Sequence, residues 1–373
     1  MPDGVGAVAP TTLPSTLIES IRARVRADLP GQVEAIDRDG LYPRDTMRRL
    51  GEAGLFAGHL AGRSPLGRPD LATAIAGMAE VSAECMSTGF CTWCQDALGW
   101  YIENCDNQAL RGELLGGIAD GSVLAGTGMS NPLKSLSGIE GFLLKAKRMP
   151  GGYEVSGVLP WVSNLGDGHW LGTVLQDVDD PAHLAFAAVR CGQPGVQIRQ
   201  SAHFIALEGT GTYSVAFRKA FIADDYLLAD PVGELVSRIT PGVILLQTGM
   251  GLGVIDACVA LMRGFGRGQA NAYLPRDADA TEEEAAALRA TIAGLAATPT
   301  ETGRDFMREV LRARLGVSEL ALAAAQSALL HAGARGYLAG SAVNRRLRES
   351  YFVAIITPSI RHLRQELAWL EEN

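Results

Sequence analysis

LAGTGMSNPLKSLSGIEGFLLKAKRMPGGYEVSGVLPWVSN, residues 124–164, is the stretch whose reading decides the fold. It opens on small residues and a Ser130-Asn131-Pro132 turn, with a second turn through Lys134-Ser135-Leu136-Ser137-Gly138. Phe142–Lys147 and Tyr153–Val158 then read as strands joined by Pro150-Gly151-Gly152, a hairpin signature. Trp161-Val162-Ser163-Asn164 closes the stretch with an aromatic beside a small hydroxyl. Small residues let a ligand approach the backbone, hydroxyls and free N–H groups hold phosphate, and an aromatic packs on a flat ring. Taken alone, these residues describe a polar-lined hairpin.

The order of the motifs resembles the flavin-binding middle domain of the acyl-CoA dehydrogenase superfamily. There a Thr-Glu-Pro turn, a Gly-Ser-Asp turn, a Gly-Tyr-x-x-x-Gly strand and a Trp-Ile-Thr-Asn strand follow one another. Ser130-Asn131-Pro132 stands for the first and Ser135–Ser137 for the second. Gly152–Gly157 matches the third and Trp161–Asn164 the fourth. Order and spacing agree; the Thr-Glu and Gly-Ser-Asp letters do not.

Upstream, residues 14–58 read as helices behind a loose leader, broken at Ile36–Pro43. The Arg44–Ala53 helix closes on Gly54-Leu55-Phe56, as the family's opening does, and Gly62–Gly67 stands for its glycine-rich loop. Asp70–Ser87, Gly89–Asn104 and Asp106–Gly117 read as three further helices, with Phe90, Trp93, Trp100 and Tyr101 as core. Downstream of Leu124 the grain changes to short β-branched and aromatic runs between turns. Trp170–Leu175, Leu184–Val189, Gly195–Arg199 and Leu207–Phe217 are the further strands expected. Beyond Asp230, apolar stripes over 238–271, 281–296, 304–336 and 341–372 predict a bundle. The expected class is therefore α+β multidomain: an all-α domain over 1–122, a β-barrel or sandwich domain over 123–230, and a four-helix bundle over 231–373. That is the acyl-CoA dehydrogenase fold.

Composition bounds the function. A chain of 373 residues with 47% apolar and 20% charged residues is globular. Its net charge of −8 argues against general nucleic-acid binding, which wants a basic face. The opening MPDGVGAVAPTTLPSTL lacks a basic-then-apolar signal, and no charge-free apolar run approaches the roughly 18 residues of a membrane span, so a cytoplasmic protein is expected. The six cysteines read as reduced and buried; Cys91-Thr92-Trp93-Cys94 has no second pair or histidine cluster to complete a metal site.

The resemblance implies bound FAD, with FMN open as an alternative. Ser130, Ser135, Ser137, Trp161 and Ser163 occupy its flavin-contact positions. Arg263, in Met262–Gly266, and Gly333 and Gly336, in Leu329–Tyr337, match elements that meet the neighbouring subunit's flavin. A homo-oligomer, dimer or tetramer, follows. The family's base is a Glu in a Glu-Gly-Thr turn after an Arg-Asp pair. Here Arg348-Glu349 matches the pair, but Thr357-Pro358-Ser359 fills the turn, leaving Thr357 and Ser359 at the catalytic position. Some relatives carry the base on the first long bundle helix, yet Gly242–Gly249 has no acid; Glu140, Glu208 and Glu349 remain as substitutes. The expected activity is oxidation of an acyl-CoA or carrier-bound thioester at Cα–Cβ, with an electron-transfer flavoprotein as acceptor. The alternative is a two-component monooxygenase on another small molecule, fed by a flavin reductase and working through a flavin hydroperoxide formed with O2. A degenerate, non-enzymatic flavoprotein is the third possibility.

Overall fold

The structure, a computed structural model, describes residues 13–266 and 270–372. Most of the expected leader, and residues 267–269 of the helix expected over 238–271, lie outside them. Six helices come first: α1 (Leu13–Asp28), α2 (Val33–Arg38), α3 (Arg44–Glu52), α4 (Leu71–Glu84), α5 (Met86–Glu103) and α6 (Gln108–Asp120). Asp70 and Asn107 start α4 and α6 by accepting from the N–H groups of Thr73 and Leu110. All 18 residues of α5 are buried, polar ones included, so α5 is the pillar of this region. Its Gln95 donates to the carbonyls of Ile118 (3.1 Å) and Val123 (2.7 Å) and accepts from Ala125 N–H (2.8 Å), fixing the entry to the sheet. Trp93 and Trp100 donate their indole N–H groups to Val243 and Ile239 carbonyls of the bundle. Gly242 is required there, since a Cβ would come within 2.6 Å of the Trp100 ring.

The middle of the chain holds β1 (Ala125–Thr127), α7 (Ser130–Leu136), β2 (Lys145–Met149), β3 (Gly152–Val162), β4 (Trp170–Asp177), β5 (Leu184–Arg190), β6 (Val196–Arg199), β7 (Tyr213–Ala223) and β8 (Leu227–Ala229). They form one eight-stranded sheet in the order β6-β7-β3-β2-β4-β5-β8, with β1 on β4. Register breaks between β3 and β7 let the sheet curve around its own core of Leu144, Val155, Leu171, Val189 and Val215. The β2–β3 hairpin turns at the expected place. Two expectations are corrected. Ser130-Asn131-Pro132 opens a helix rather than a turn, because Pro132 falls in the first helical turn, where its missing N–H has no partner to lose. The last long strand starts at Tyr213, not Leu207, because Leu207 sits at φ 63° ahead of a short 3-10 turn.

The C-terminal helices are α8 (Gly233–Gly264), α9 (Ala278–Leu295), α10 (Arg304–Ala332), α11 (Ala342–Ile355) and α12 (Ile360–Glu372). The helix expected over 341–372 is thus two, since Pro358 removes a donor and drives the residue before it off helical geometry. Gly233–Gly264 and Arg304–Tyr337 are long and apolar enough to span a membrane, contrary to the reading of the sequence. The most apolar window of the first is 83% buried inside the fold, so its apolar residues already have protein partners. Arg346 on α11 locks the bundle to the N-terminal helices. Its guanidinium donates to the Ser82, Ala83 and Glu84 carbonyls, around the C-terminus of α4, and pairs with Glu349 at 2.7 Å.

Two buried polar groups set the energetics of this core. Arg314 on α10 is fully buried with no carboxylate partner among the described residues, and burial pulls it down to about 10, so it stays a cation at neutral pH. Its Nε donates to Gln247 Oε1 (2.9 Å), its Nη2 to the Val353 carbonyl (2.9 Å), and its Nη1 to Ser318 Oγ. Gln247 in turn donates Nε2 to the Thr357 carbonyl at 2.8 Å. The second is His59 beside Asp96, Nδ1 to Oδ1 3.6 Å, both fully buried and without a hydrogen-bond partner among the described residues. Burial pushes His59 down to about 3, leaving it neutral at pH 7, and pushes the Asp96 carboxyl well up. All six cysteines are unpaired and buried.

Gln247→Leu would strip an acceptor from Arg314 and a donor from Thr357. A loss on the order of 2–3 kcal/mol in denaturant unfolding is expected. Because His59 is depressed in the folded state, its contribution is complete above pH 6.5 and declines as the unfolded chain protonates below that, down to about pH 3. His59→Gln should flatten the acid slope of stability by up to about 1.4 kcal/mol per pH unit across that window, read from melts at stepped pH.

Candidate functional site

The turn between α11 and α12 is the centre of the site. Ser359 caps α12, its Oγ accepting from His362 N–H at 3.4 Å. Thr357 turns the other way: its hydroxyl lies 2.9 Å from that of Ser130, the first residue of α7. The structure therefore brings together Ser130 and Thr357, which are 227 residues apart in sequence. The carbonyl of Thr357 is the one tied through Gln247 to Arg314.

None of the three candidate carboxylates is offered to this turn. Glu140 takes Asn131 Nδ2 (2.8 Å) and Lys134 (2.9 Å), Glu208 takes His203 and the Phe204 N–H, and Glu349 is held by Arg346. A different acid stands nearby. One turn into α12, His362 Nε2 lies 2.9 Å from Ser137 Oγ and 3.4 Å from Glu366 Oε1. Hydrogen bonds from His362 and then Ser137 hold the Glu366 carboxyl below its ordinary range, against the opposing effect of burial. Ser137 and Glu366 both line a cavity of about 880 Å³ between α7, the start of α8 and α12. The sequence signal for this pair was available in His362-x-x-x-Glu366, whose i,i+4 spacing sets both on one helix face.

The remaining site residues fall elsewhere. Trp161, near the end of β3, is 61% exposed and meets Phe204 edge-on at 6.5 Å. Ser163 is buried, its hydroxyl 2.6 Å from that of Thr212, which lies 2.8 Å from Thr210. Asn164, at φ 61°, pins this segment by accepting from Tyr42 (2.6 Å) and donating to the Ala125 carbonyl (2.7 Å). Ser135 donates back to the Asn131 carbonyl of its own helix at 2.9 Å. Arg263 is engaged by Glu282 (2.6 and 3.0 Å) and Asp279 (3.3 Å) on α9. Gly333 ends α10 at φ 57° with open space where a Cβ would stand. At Gly336 a Cβ would come within 2.9 Å of Ala332 and Leu329, so packing explains that glycine.

These residues fit a flavin ring. An indole left 61% in solvent beside half-exposed Phe204 has no folding explanation, and it presents an apolar face for a flat ring. The hydroxyls of Ser130 and Thr357 are likewise exposed to a ligand.

Comparison with known proteins agrees with this fold. Residues 15–122 match the family described as acyl-CoA dehydrogenase, N-terminal domain. Benzylmalonyl-CoA dehydrogenase of Aromatoleum aromaticum is 27% identical over 87% of this chain and 88% of its own length. L-evernosamine nitrososynthase of a Micromonospora species is 24% identical over 91% and 86%. The solved structure of butyryl-CoA dehydrogenase from Megasphaera elsdenii superposes with a TM-score of 0.86, at 15% identity, over 99% of this chain and 100% of that one. Residues 15–122 thus match the acyl-CoA dehydrogenase N-terminal domain, and the whole chain has the fold of that superfamily and is similar to its dehydrogenases and to a nitrososynthase.

Proposed function

We propose that this flavin-dependent oxidoreductase uses reduced flavin and O2 to oxygenate a small molecule. The observation that supports the reading is the Thr357–Ser130 hydroxyl pair, at the turn that the resemblance sets against the family's Glu-Gly-Thr. Removing a thioester α-proton needs a group that accepts protons near neutral pH, and a hydroxyl does not. What the two hydroxyls supply is hydrogen-bond donors on a backbone fixed by Gln247 and Arg314.

Bound FAD, or FMN, supplies the electron transfer and the oxygen chemistry. Trp161 would pack on its ring, with Ser130, Ser135 and Ser163 as the hydroxyls on hand, while Ser137 is engaged by His362. Arg263, Gly333 and Gly336 would come from a neighbouring subunit, with Arg263 exchanging its acidic partners for phosphate. Leu330, Tyr337, Leu338 and Ile355, all exposed on the bundle, support a face covered in a homodimer or tetramer. A flavin reductase would be the second component, and the six unpaired cysteines suit a reducing cytoplasm.

Thioester oxidation at Cα–Cβ is the second reading, favoured by one observation: Glu366 is an ionised carboxylate on the cavity wall. It would have to act as base in place of the missing Glu, and electrons would leave to an electron-transfer flavoprotein.

Chemically reduced FAD held by the protein, mixed with air-saturated buffer, is expected to give a long-lived absorbing species distinct from both oxidised and reduced flavin. Reoxidation indistinguishable from that of free reduced FAD would overturn the oxygenase reading. Trp161→Ala should change stability by no more than about 0.5 kcal/mol, as its side chain is largely exposed, yet weaken FAD binding about tenfold in a fluorescence titration. Unchanged affinity would remove Trp161 from the flavin site.

A further inference from the structure

The cavity beside the Thr357 turn has a one-sided charge. Its volume of about 880 Å³ suits a small-molecule ligand, and Leu184, Val236, Met307 and Trp369 give it apolar walls. Among the described residues that line it, Glu366 carries the single formal charge, and its polar neighbours are the uncharged Ser137, Ser237, Thr240, Thr302 and Gln365. Phosphate recognition calls for guanidinium or ammonium donors, and none lines these walls. A half-buried carboxylate whose one basic neighbour is His362, in a cavity with no Lys or Arg on its walls, suits a cationic ligand.

Three elements join this cavity to the Thr357 turn. On α7, Ser130 meets Thr357 and Ser137, seven positions on, lines the cavity. On α8, Gln247 holds Thr357 and Thr240, seven positions back, lines the cavity. At a helical rise of about 1.5 Å per residue, both spans place the cavity wall about 10 Å from the hydroxyl pair. The third element, α12, follows directly from the turn and carries Glu366.

We propose that the cavity anchors the substrate by a protonated amine seated on Glu366, with an apolar body against Val236, Met307 and Trp369 and the reacting atom about 10 Å away at the Thr357 turn. The amine is the handle, not the site of reaction. Hydrogen bonds from His362 and Ser137 favour the ionised carboxylate and aim it. The assignment rests on the reading that this cavity holds the substrate of the flavin reaction, and it names that substrate's class.

Binding to the FAD-reconstituted full chain, measured by calorimetry with hexylammonium and with 1-hexanol, tests it. Hexylammonium is expected to bind at least tenfold more tightly than hexanol in the wild type. Glu366→Gln, on a partly exposed helix face, should bring the two affinities together, and Glu366→Asp should keep part of the preference. Equal binding of the two probes to the wild type would overturn the proposal. So would a preference that survives Glu366→Gln, or displacement of hexylammonium by butyryl-CoA. The readout is binding, so an ammonium preference in a protein that fails the oxygen test supports the anchor while the oxygenase reading falls.

Discussion

A guanidinium buried in the bundle without a carboxylate is the constraint on which the site depends. Taking Arg314 out of water costs several kcal/mol, and no acid among the described residues pairs with it to offset that. Compensation comes from Gln247, Ser318 and the Val353 carbonyl. Val353 lies in the last turn of α11, so Arg314 sits at the negative end of that helix's dipole. This arrangement works only if α11 stops near Val353 and Gln247 faces inward. Both conditions also deliver the Thr357 carbonyl to Gln247 and the Thr357 hydroxyl to Ser130. The Thr357 turn is thus held from within the core rather than by its own loop.

The same logic extends across the molecule. Helix α5 is buried on every side, so each of its polar groups needs an internal partner, and those partners lie in all three regions. Gln95 reaches the sheet entry, while Trp93 and Trp100 reach α8. Arg346 closes the circuit from α11 to α4. His59 and Asp96 are fully buried exceptions, left without hydrogen-bond partners among the described residues, as is the Thr88 hydroxyl of α5. The sheet is therefore clamped between helices, which keeps α7, and with it Ser130 and Ser137, in place against α12.

Much of this was legible in the chain. The Gly152–Gly157 strand, the hairpin turn before it and Trp161-Val162-Ser163-Asn164 sit where the motif order placed them, because strand alternation and turn chemistry are local. Ser130-Asn131-Pro132 was misread because the residues that make a tight turn also start a helix. The break at Ile356–Ser359 was visible as a motif yet lost when the apolar stripe was extended through it. Gln247 and Arg314 could not be paired from sequence, since they are 67 positions apart and each sits on a helix where a polar residue reads as surface. Glu366 was not among the substitute acids Glu140, Glu208 and Glu349, although its i,i+4 partner His362 marks it in the sequence.

The central claim is that this site works without a base at the family's position. It is tested most directly by the visible spectrum of the FAD-reconstituted protein during anaerobic titration with a panel of acyl-CoA thioesters. The account predicts that the oxidised flavin spectrum stays unbleached with every thioester. Bleaching by any one of them would show that an α-proton is being removed after all, contradict the oxygenase reading, and turn attention to Glu366 as the group that removes it.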